Sequence, residues 1–389
     1  MSVENFVRRL HILQNFLTAQ PALAAIGLVP AIDHLAYGLV NLATTISTTV
    51  TTQLAEEPTP PLLLRVTEVQ RESLHVHNGQ HTMAARALPA LLAELQDQAD
   101  ALAVGDWVLA QHNSLGECWV HARVPPMNQL ARRLHDGRDK LTRKVIASNI
   151  DTALLVMGLD HDYNLRRLER YVALVCMAGV QPLVVLTKAD LCPQASRRLD
   201  EVRAALPPAC HAVALNALGA EPALQLAPWL LPASTLVLLG SSGVGKSTLT
   251  NALLGHAAQD TGANRAGDSR GRHTTTSRSL HCLPGGACLI DTPGLRTLRL
   301  DGDAEALDAV YDDVQRLASV CRFRDCQHEA EPGCAVRAGV PAERLRSYQK
   351  LQREARRDTM TILERKAQHA QWKVRSKAAR ARDIEEGRR

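Results

Sequence analysis

The run Gly240-Ser241-Ser242-Gly243-Val244-Gly245-Lys246-Ser247, with Thr248 after it, stands between an apolar segment, 235–239, and a helical pattern, 246–254. Glycines so spaced let successive backbone amides turn inward around phosphate oxygens, and the helix beyond them presents its positive dipole end to the same oxygens. Lys246 is then the residue to neutralise the β and γ oxygens, and Ser247 the hydroxyl to ligate Mg²⁺. About fifty residues downstream, Asp291-Thr292-Pro293-Gly294 succeeds the apolar Cys288-Leu289-Ile290. Its carboxylate is placed to hold a magnesium-bound water, and the Gly294 amide to sense a γ-phosphate. Alone this is an ordinary turn; paired with a phosphate loop it reads as a switch. Between the two, Arg272-His273-Thr274-Thr275-Thr276 offers the hydroxyl that a first switch needs to complete Mg²⁺ coordination, with Thr275 favoured.

Thr187-Lys188-Ala189-Asp190 ends another apolar segment, 183–186, and looks like the [NT]-K-x-D guanine motif of GTPases. Asp190 would accept hydrogen bonds from guanine N1–H and N2–H while the Lys188 stem covers the base. Adenine lacks that donor pair, so such a site rejects ATP by around 10⁴-fold. The plain alternative is an aspartate capping a helix after a strand. Leu215-Asn216-Ala217 is a candidate for the loop behind the base, though it matches the usual Ser-Ala-Lys poorly. The base motif precedes the phosphate motifs, the reverse of most GTPases, so the domain reads as circularly permuted. Domain termini often lie close together, which makes such a rearrangement physically reasonable. It also ties the chain beyond residue 291 to the segment that responds to the γ-phosphate.

That downstream chain carries Cys321, Cys326, His328 and Cys334, four ligand-type side chains within fourteen residues. A Cys₃His set suits tetrahedral Zn²⁺, and a site filled by four protein ligands is structural, so a staple for a small helical module is expected, with free thiols in a helical core as the alternative.

These residues need elements to position them. Apolar strands at 152–157, 183–186, 235–239 and 287–290 alternate with amphipathic helices at 165–178 and 246–254, which predicts a parallel sheet with the motifs on loops at its carboxyl edge. Upstream, short β-like runs between residues 62 and 124, with Asn78-Gly79 between two of them, predict about five strands and a small barrel such as an OB-fold. Arg132 to Lys144 reads as a basic connector, and 44–61 has a linker composition.

The chain of 389 residues has room for two or three domains. Its formal charge is +5, but residues 350–389 carry thirteen Lys/Arg against six Asp/Glu, leaving the remainder near −2. That local excess suggests a polyanion-docking surface, the plain alternative being a solvated helix. Nine cysteines without a disulfide-like framework fit a reducing compartment, and a cytoplasmic protein is expected. No apolar run approaches the eighteen or so residues of a membrane helix, so no membrane partner is expected. The first residues read as an N-terminal extension rather than a secretion signal.

With GSSGVGKST, RHTTT, DTPG, TKAD and the Cys/His spacing in permuted order, the chain resembles the ribosome small-subunit-dependent GTPases, the RsgA/YjeQ family, from about residue 62 to 351. Asn149-Ile150-Asp151 and the segment 164–171 are similar to that family as well. The resemblance implies a multidomain protein: an OB-fold β-barrel, a circularly permuted α/β P-loop GTPase domain and a helical zinc-binding C-terminal domain. The expected division is 1–60 extension, 61–127 barrel, 128–300 GTPase, 301–350 zinc domain and 351–389 basic tail. It further implies late 30S maturation, GTP hydrolysis stimulated by the small subunit, and GTP, GDP, 30S and its rRNA as partners of a monomer. The long N-terminal arm and Ala214 to Ala217 depart from the family.

Leu295 comes after Gly294 where many GTPases place a water-orienting glutamine, so slow intrinsic turnover is expected, with rRNA docking bringing His273 toward the attacking water. A surface histidine is the alternative there. Arg132, Arg133, Lys140, Arg143, Lys144, Lys373, Arg375 and Lys377, together with the barrel, are the expected phosphate contacts. Two rivals stand: a non-catalytic, GTP-dependent RNA-binding assembly factor, marked by zero hydrolysis with 30S present, and a P-loop ATPase or kinase, marked by indifference of base preference to Asp190.

Overall fold

The computed structural model describes residues 21–29, 31–40, 61–70, 73–135, 141–257, 278–293 and 310–359. The chain forms two compact units, Met1–Asp301 and Gly302–Arg389.

In the first unit, β1 (Leu62–Val69), β2 (Leu74–His77), β3 (Thr82–Ala87), β4 (Trp107–His112) and β5 (Cys118–Arg123) close on themselves. Strand β1 pairs with both β2 and β4, β3 runs parallel to β5, and β4 pairs with β5, so no edge of the five remains open. The result is an OB-like barrel. Its β2–β3 turn is fixed by Asn78, whose Oδ1 accepts from the amides of Gln80 and His81, and Gly79 takes the positive φ that this turn requires. Helix α1 (Pro89–Asp97) places Leu91 and Leu95 on the barrel core beside Leu64, Val66, Val108 and Val120.

Residues expected as a basic connector are instead two strands, β6 (Gln129–His135) and β7 (Leu141–Ser148), paired antiparallel with Arg132 opposite Lys144 and Arg133 opposite Arg143. The register shifts between Leu130 and Ala131, a bulge that breaks the period-two alternation by which a strand is read from sequence.

The remaining strands are β8 (Thr152–Gly158), β9 (Gln181–Thr187), β10 (His211–Ala214), β11 (Thr235–Leu239), β12 (Ser279–Cys282) and β13 (Cys288–Asp291). They lie in the order β10-β9-β8-β11-β13-β12, parallel except for β12. Strands β8 and β11 are buried throughout and so read as unbroken apolar runs, as parallel strands covered on both faces do. Helices α2 (Leu165–Met177), α3 (Ala195–Ala205), α4 (Glu221–Leu226) and α5 (Lys246–Leu254) complete the α/β layering. Val156, Val185, Leu238, Leu249, Leu253 and Leu289 share one core cluster, which ties α5 to the sheet.

Asn149 fastens the barrel to the chain that enters this sheet, and Asp151 ties the start of β8 to β11. Asn149 donates to the Gly105 carbonyl at 3.0 Å and accepts from the Met127 amide at 2.9 Å, while Asp151 accepts from the Thr235 amide at 2.7 Å. Arg65, fully buried over Trp107, adds a hydrogen bond to Thr235 Oγ1 at 2.8 Å and another to the Ile26 carbonyl. Within the first forty residues, Leu23, Ile26, Ile32, Ala36 and Val40 are buried.

The second unit contains α6 (Asp312–Ala318), α7 (Ala335–Gly339) and α8 (Ala342–Thr359). Tyr311 packs on Tyr348 with ring centroids 5.3 Å apart, and Arg344 holds Asp313 at 2.8 Å. Among the described residues no helix is long and apolar enough to cross a membrane.

Candidate nucleotide site and Cys/His cluster

The loops after β9, β11 and β13 all leave the carboxyl edge of the parallel sheet, where α/β folds bind ligands. Residues 240–247 wrap the start of α5. A Cβ at Gly240 would sit 2.3 Å from the Val156 carbonyl oxygen, so only glycine lets this loop approach β8. Gly245, at the N-cap of α5, has φ +98°, which glycine adopts without strain. Lys246 is buried and donates from Nζ to the carbonyls of Gly240 at 3.0 Å and Ser241 at 2.7 Å. Burial pulls it down to about 8, with Asp291 and Asp162 acting in the opposite direction.

The base motif is wired to this loop. Thr187 Oγ1 donates to the Val244 carbonyl at 2.6 Å, and Lys188 Nζ donates to the Gly243 carbonyl at 3.0 Å. Two segments more than fifty positions apart in the chain thus meet at one edge. Lys188 has φ +61°, a left-handed conformation that turns the chain into a 3₁₀ turn, Ala189–Leu191, leaving Asp190 exposed. The Ala189 amide donates to the Leu215 carbonyl, so the Leu215-Asn216-Ala217 loop lies beside the base motif. Asn216 Oδ1 accepts from the Leu218 amide at 2.9 Å.

Asp160 belongs to the site without any motif to mark it. It forms an ion pair with Lys188 at 2.6 Å, lying just beyond β8. Its one signal is position: a carboxylate two residues past a strand of the carboxyl edge. Asp162 likewise pairs with Arg167 at 2.7 Å, and Asn164 caps α2 by accepting from the Arg167 amide.

Asp291 is fully buried, and among the described residues neither of its carboxylate oxygens has a hydrogen-bond partner. Burial pushes it up to about 6, against the pull of Lys246. An orphaned buried carboxylate beside a phosphate loop is the donor a hard divalent cation takes, so the residues fit Mg²⁺. Because the folded value lies above the ordinary 3.8, the nucleotide-free protein loses stability as pH rises from about 4 through about 6. Asp291→Asn is therefore expected to stabilise the apo protein at pH 8 by on the order of 3 kcal/mol, seen as a higher melting temperature, and to change nothing below pH 4; thermal melts across pH check it. His273, Thr275 and Gly294 lie outside the described residues.

In the second unit Cys321, Cys326, His328 and Cys334 bring one ligand atom each within 4.8 Å of one another. His328 Nδ1 is 3.7 Å from Cys321 Sγ and 3.4 Å from Cys334 Sγ, and the two sulfurs are 3.9 Å apart. Ligands about 2.1–2.3 Å from a tetrahedral zinc lie roughly 3.5–3.8 Å from each other, so the donor set and its spacing fit that ion.

A family model described as RsgA GTPase matches residues 124–301. The chain is 44% identical over 296 residues to the small ribosomal subunit biogenesis GTPase RsgA of Xylella fastidiosa strain M23, covering 75% of this chain and 87% of that protein. It is 45% identical over 316 residues to the protein of the same name from Opitutus terrae, covering 77% and 85%. Its fold is similar to the crystal structure of YjeQ from Thermotoga maritima, with TM-score 0.54 and 21% identity over 76% of this chain and 98% of that one. YloQ, described as a circularly permuted GTPase, gives TM-score 0.50 and 22% identity over 80% and 100%. The permuted strand order, the joined base and phosphate loops and such extensive identity to these relatives have one reading: the chain belongs to the RsgA GTPase family.

Proposed function

We propose that the chain is a GTP hydrolase acting in biogenesis of the small ribosomal subunit, the role in its relatives' names. The observation that carries this is the hydrogen bonding of Thr187 and Lys188 to the carbonyls of Val244 and Gly243, which supports a single site reading guanine at one end and phosphate at the other. Residues 240–248 cradle the phosphates, Thr187, Lys188 and Asp190 hold the base, and the Gly294 amide senses the γ-phosphate. Ser247, Thr275 and Asp291 are assigned to Mg²⁺. That ion, when bound, draws charge from the β and γ oxygens. Lys246 supplies a cation in a water-poor pocket, where electrostatic stabilisation of a transition state is strongest. Lys246→Ala is expected to lower kcat/KM for GTP by about 10³-fold, near 4 kcal/mol; steady-state turnover measures it.

Leu295 cannot orient water, so the isolated protein turns over slowly and the subunit supplies the missing order, with His273 as the group brought to the water. The division proposed is 1–60 extension, 61–127 OB-fold, 128–300 GTPase, 301–350 zinc-stapled helical domain and 351–389 basic tail, in a cytoplasmic monomer. The rRNA docks through phosphate contacts on the barrel, the β6–β7 hairpin and the tail. Lys144 senses the like charges of Arg132, which it faces across the hairpin, and of Arg278, a local basic excess that supports that assignment. The test is GTP turnover with and without purified 30S subunits over a salt series. Stimulation by 30S that fades steeply with salt is expected; no hydrolysis with 30S present would leave a nucleotide clamp.

A further inference from the structure

Strands β12 and β13 set Cys282 directly opposite Cys288. The Cys288 amide donates to the Ser234 carbonyl at 2.7 Å, on the β11 side and away from β12. A strand residue's N–H and C=O point the same way, so Cys282 and Cys288 form a non-hydrogen-bonded antiparallel pair, whose Cα atoms approach to about 4.5 Å. Disulfides span Cα separations of about 4.4–6.8 Å.

The pair is also asymmetric. Cys282 is exposed and Cys288 is buried. The facing Cys288 thiol pulls Cys282 down to about 7, burial opposes it, and the charge of the Arg65 guanidinium assists. The facing Cys282, and burial, push Cys288 up; Arg65 and Asp151 are the other charged groups it senses. An accessible thiol with a second thiol in reach is the arrangement of reactive cysteine pairs.

We propose that Cys282 and Cys288 form a peroxide-responsive dithiol that closes to a cross-strand disulfide, Cys282 reacting first and Cys288 resolving. The Cys282 thiolate attacks one oxygen of hydrogen peroxide; the S–O bond forms, the O–O bond breaks, and hydroxide leaves and is protonated to water. Cys288 gives up its proton and attacks the sulfenyl sulfur, so that S–S forms, S–O breaks and a second water leaves. Two thiols lose two electrons and one peroxide is reduced to two waters. A small dithiol reverses the bond by exchange. The link joins β12 to the strand that ends in Asp291 and depends on no part of the nucleotide assignment.

The test uses the full-length protein with its metal, exposed to hydrogen peroxide, alkylated and digested with trypsin without reduction. The peptide 279–296, which contains both cysteines, is expected to be lighter by two hydrogens and to resist alkylation until dithiothreitol is added. In C288S, dimedone is expected to capture Cys282 as sulfenic acid about 10-fold more than it captures Cys288 in C282S. Circular dichroism verifies that both variants are folded. A wild-type peptide that stays fully alkylatable after peroxide, or equal dimedone capture in the two variants, overturns the proposal.

Discussion

Removing the zinc proposed for the Cys321, Cys326, His328 and Cys334 cluster is expected to unfold the C-terminal unit. Its described apolar core is small, built from Val310, Tyr311, Val314, Val336, Val340, Leu345, Tyr348 and Leu351. A core of that size contributes too little to offset the ordering of some fifty residues, so small units of this kind depend on a staple. A structural zinc contributes an apparent 10–16 kcal/mol at about pH 7, because the ligands gather only when the chain folds. Cys334 also caps α7, its sulfur accepting from the Arg337 amide at 3.4 Å, so the cluster and the helix form together. A strong chelator, or Cys326→Ser, is expected to abolish one bound zinc per chain and the helical circular dichroism of residues 310–359, measured against the intact protein. Retention of those helices in metal-free protein would make the cluster four free thiol and imidazole groups.

Asp190→Asn is expected to collapse the preference for GTP over ATP, from around 10⁴ toward parity. In the proposed site the carboxylate accepts two guanine N–H groups; the amide would offer one acceptor and one donor, and its NH₂ would face guanine donors. Asp190 is exposed, and a surface substitution of this kind leaves stability nearly untouched, so the melting temperature should hold while selectivity falls. Competition between GTP and ATP analogues for one site, read as a ratio of dissociation constants, checks it. An unchanged ratio would return the chain to the P-loop ATPases.

Where the chain's chemistry depends on backbone and local spacing, the residues announce it. The strand 235–239 and the helix 246–254 begin and end where the apolar run and the glycines place them, because a covered parallel strand and a phosphate loop both leave strong local patterns. The four Cys/His ligands are legible for the same reason. The β6–β7 hairpin is not: its bulge between Leu130 and Ala131 breaks the alternation, and its basic residues hide the rest. Asp160 carries no local mark because its partner, Lys188, lies 28 positions away, and only the parallel pairing of β8 with β9 brings them together. Of the residues that carry family likeness, Asn149 proves to be a fastener between barrel and sheet, and Asp151 a tie between β8 and β11.

The Thr187–Val244 hydrogen bond links the loop proposed to read the purine to the loop proposed to bind phosphate. Drawing those halves together is thus accomplished once, during folding, and a ligand entering the site need not spend its own interaction energy on it.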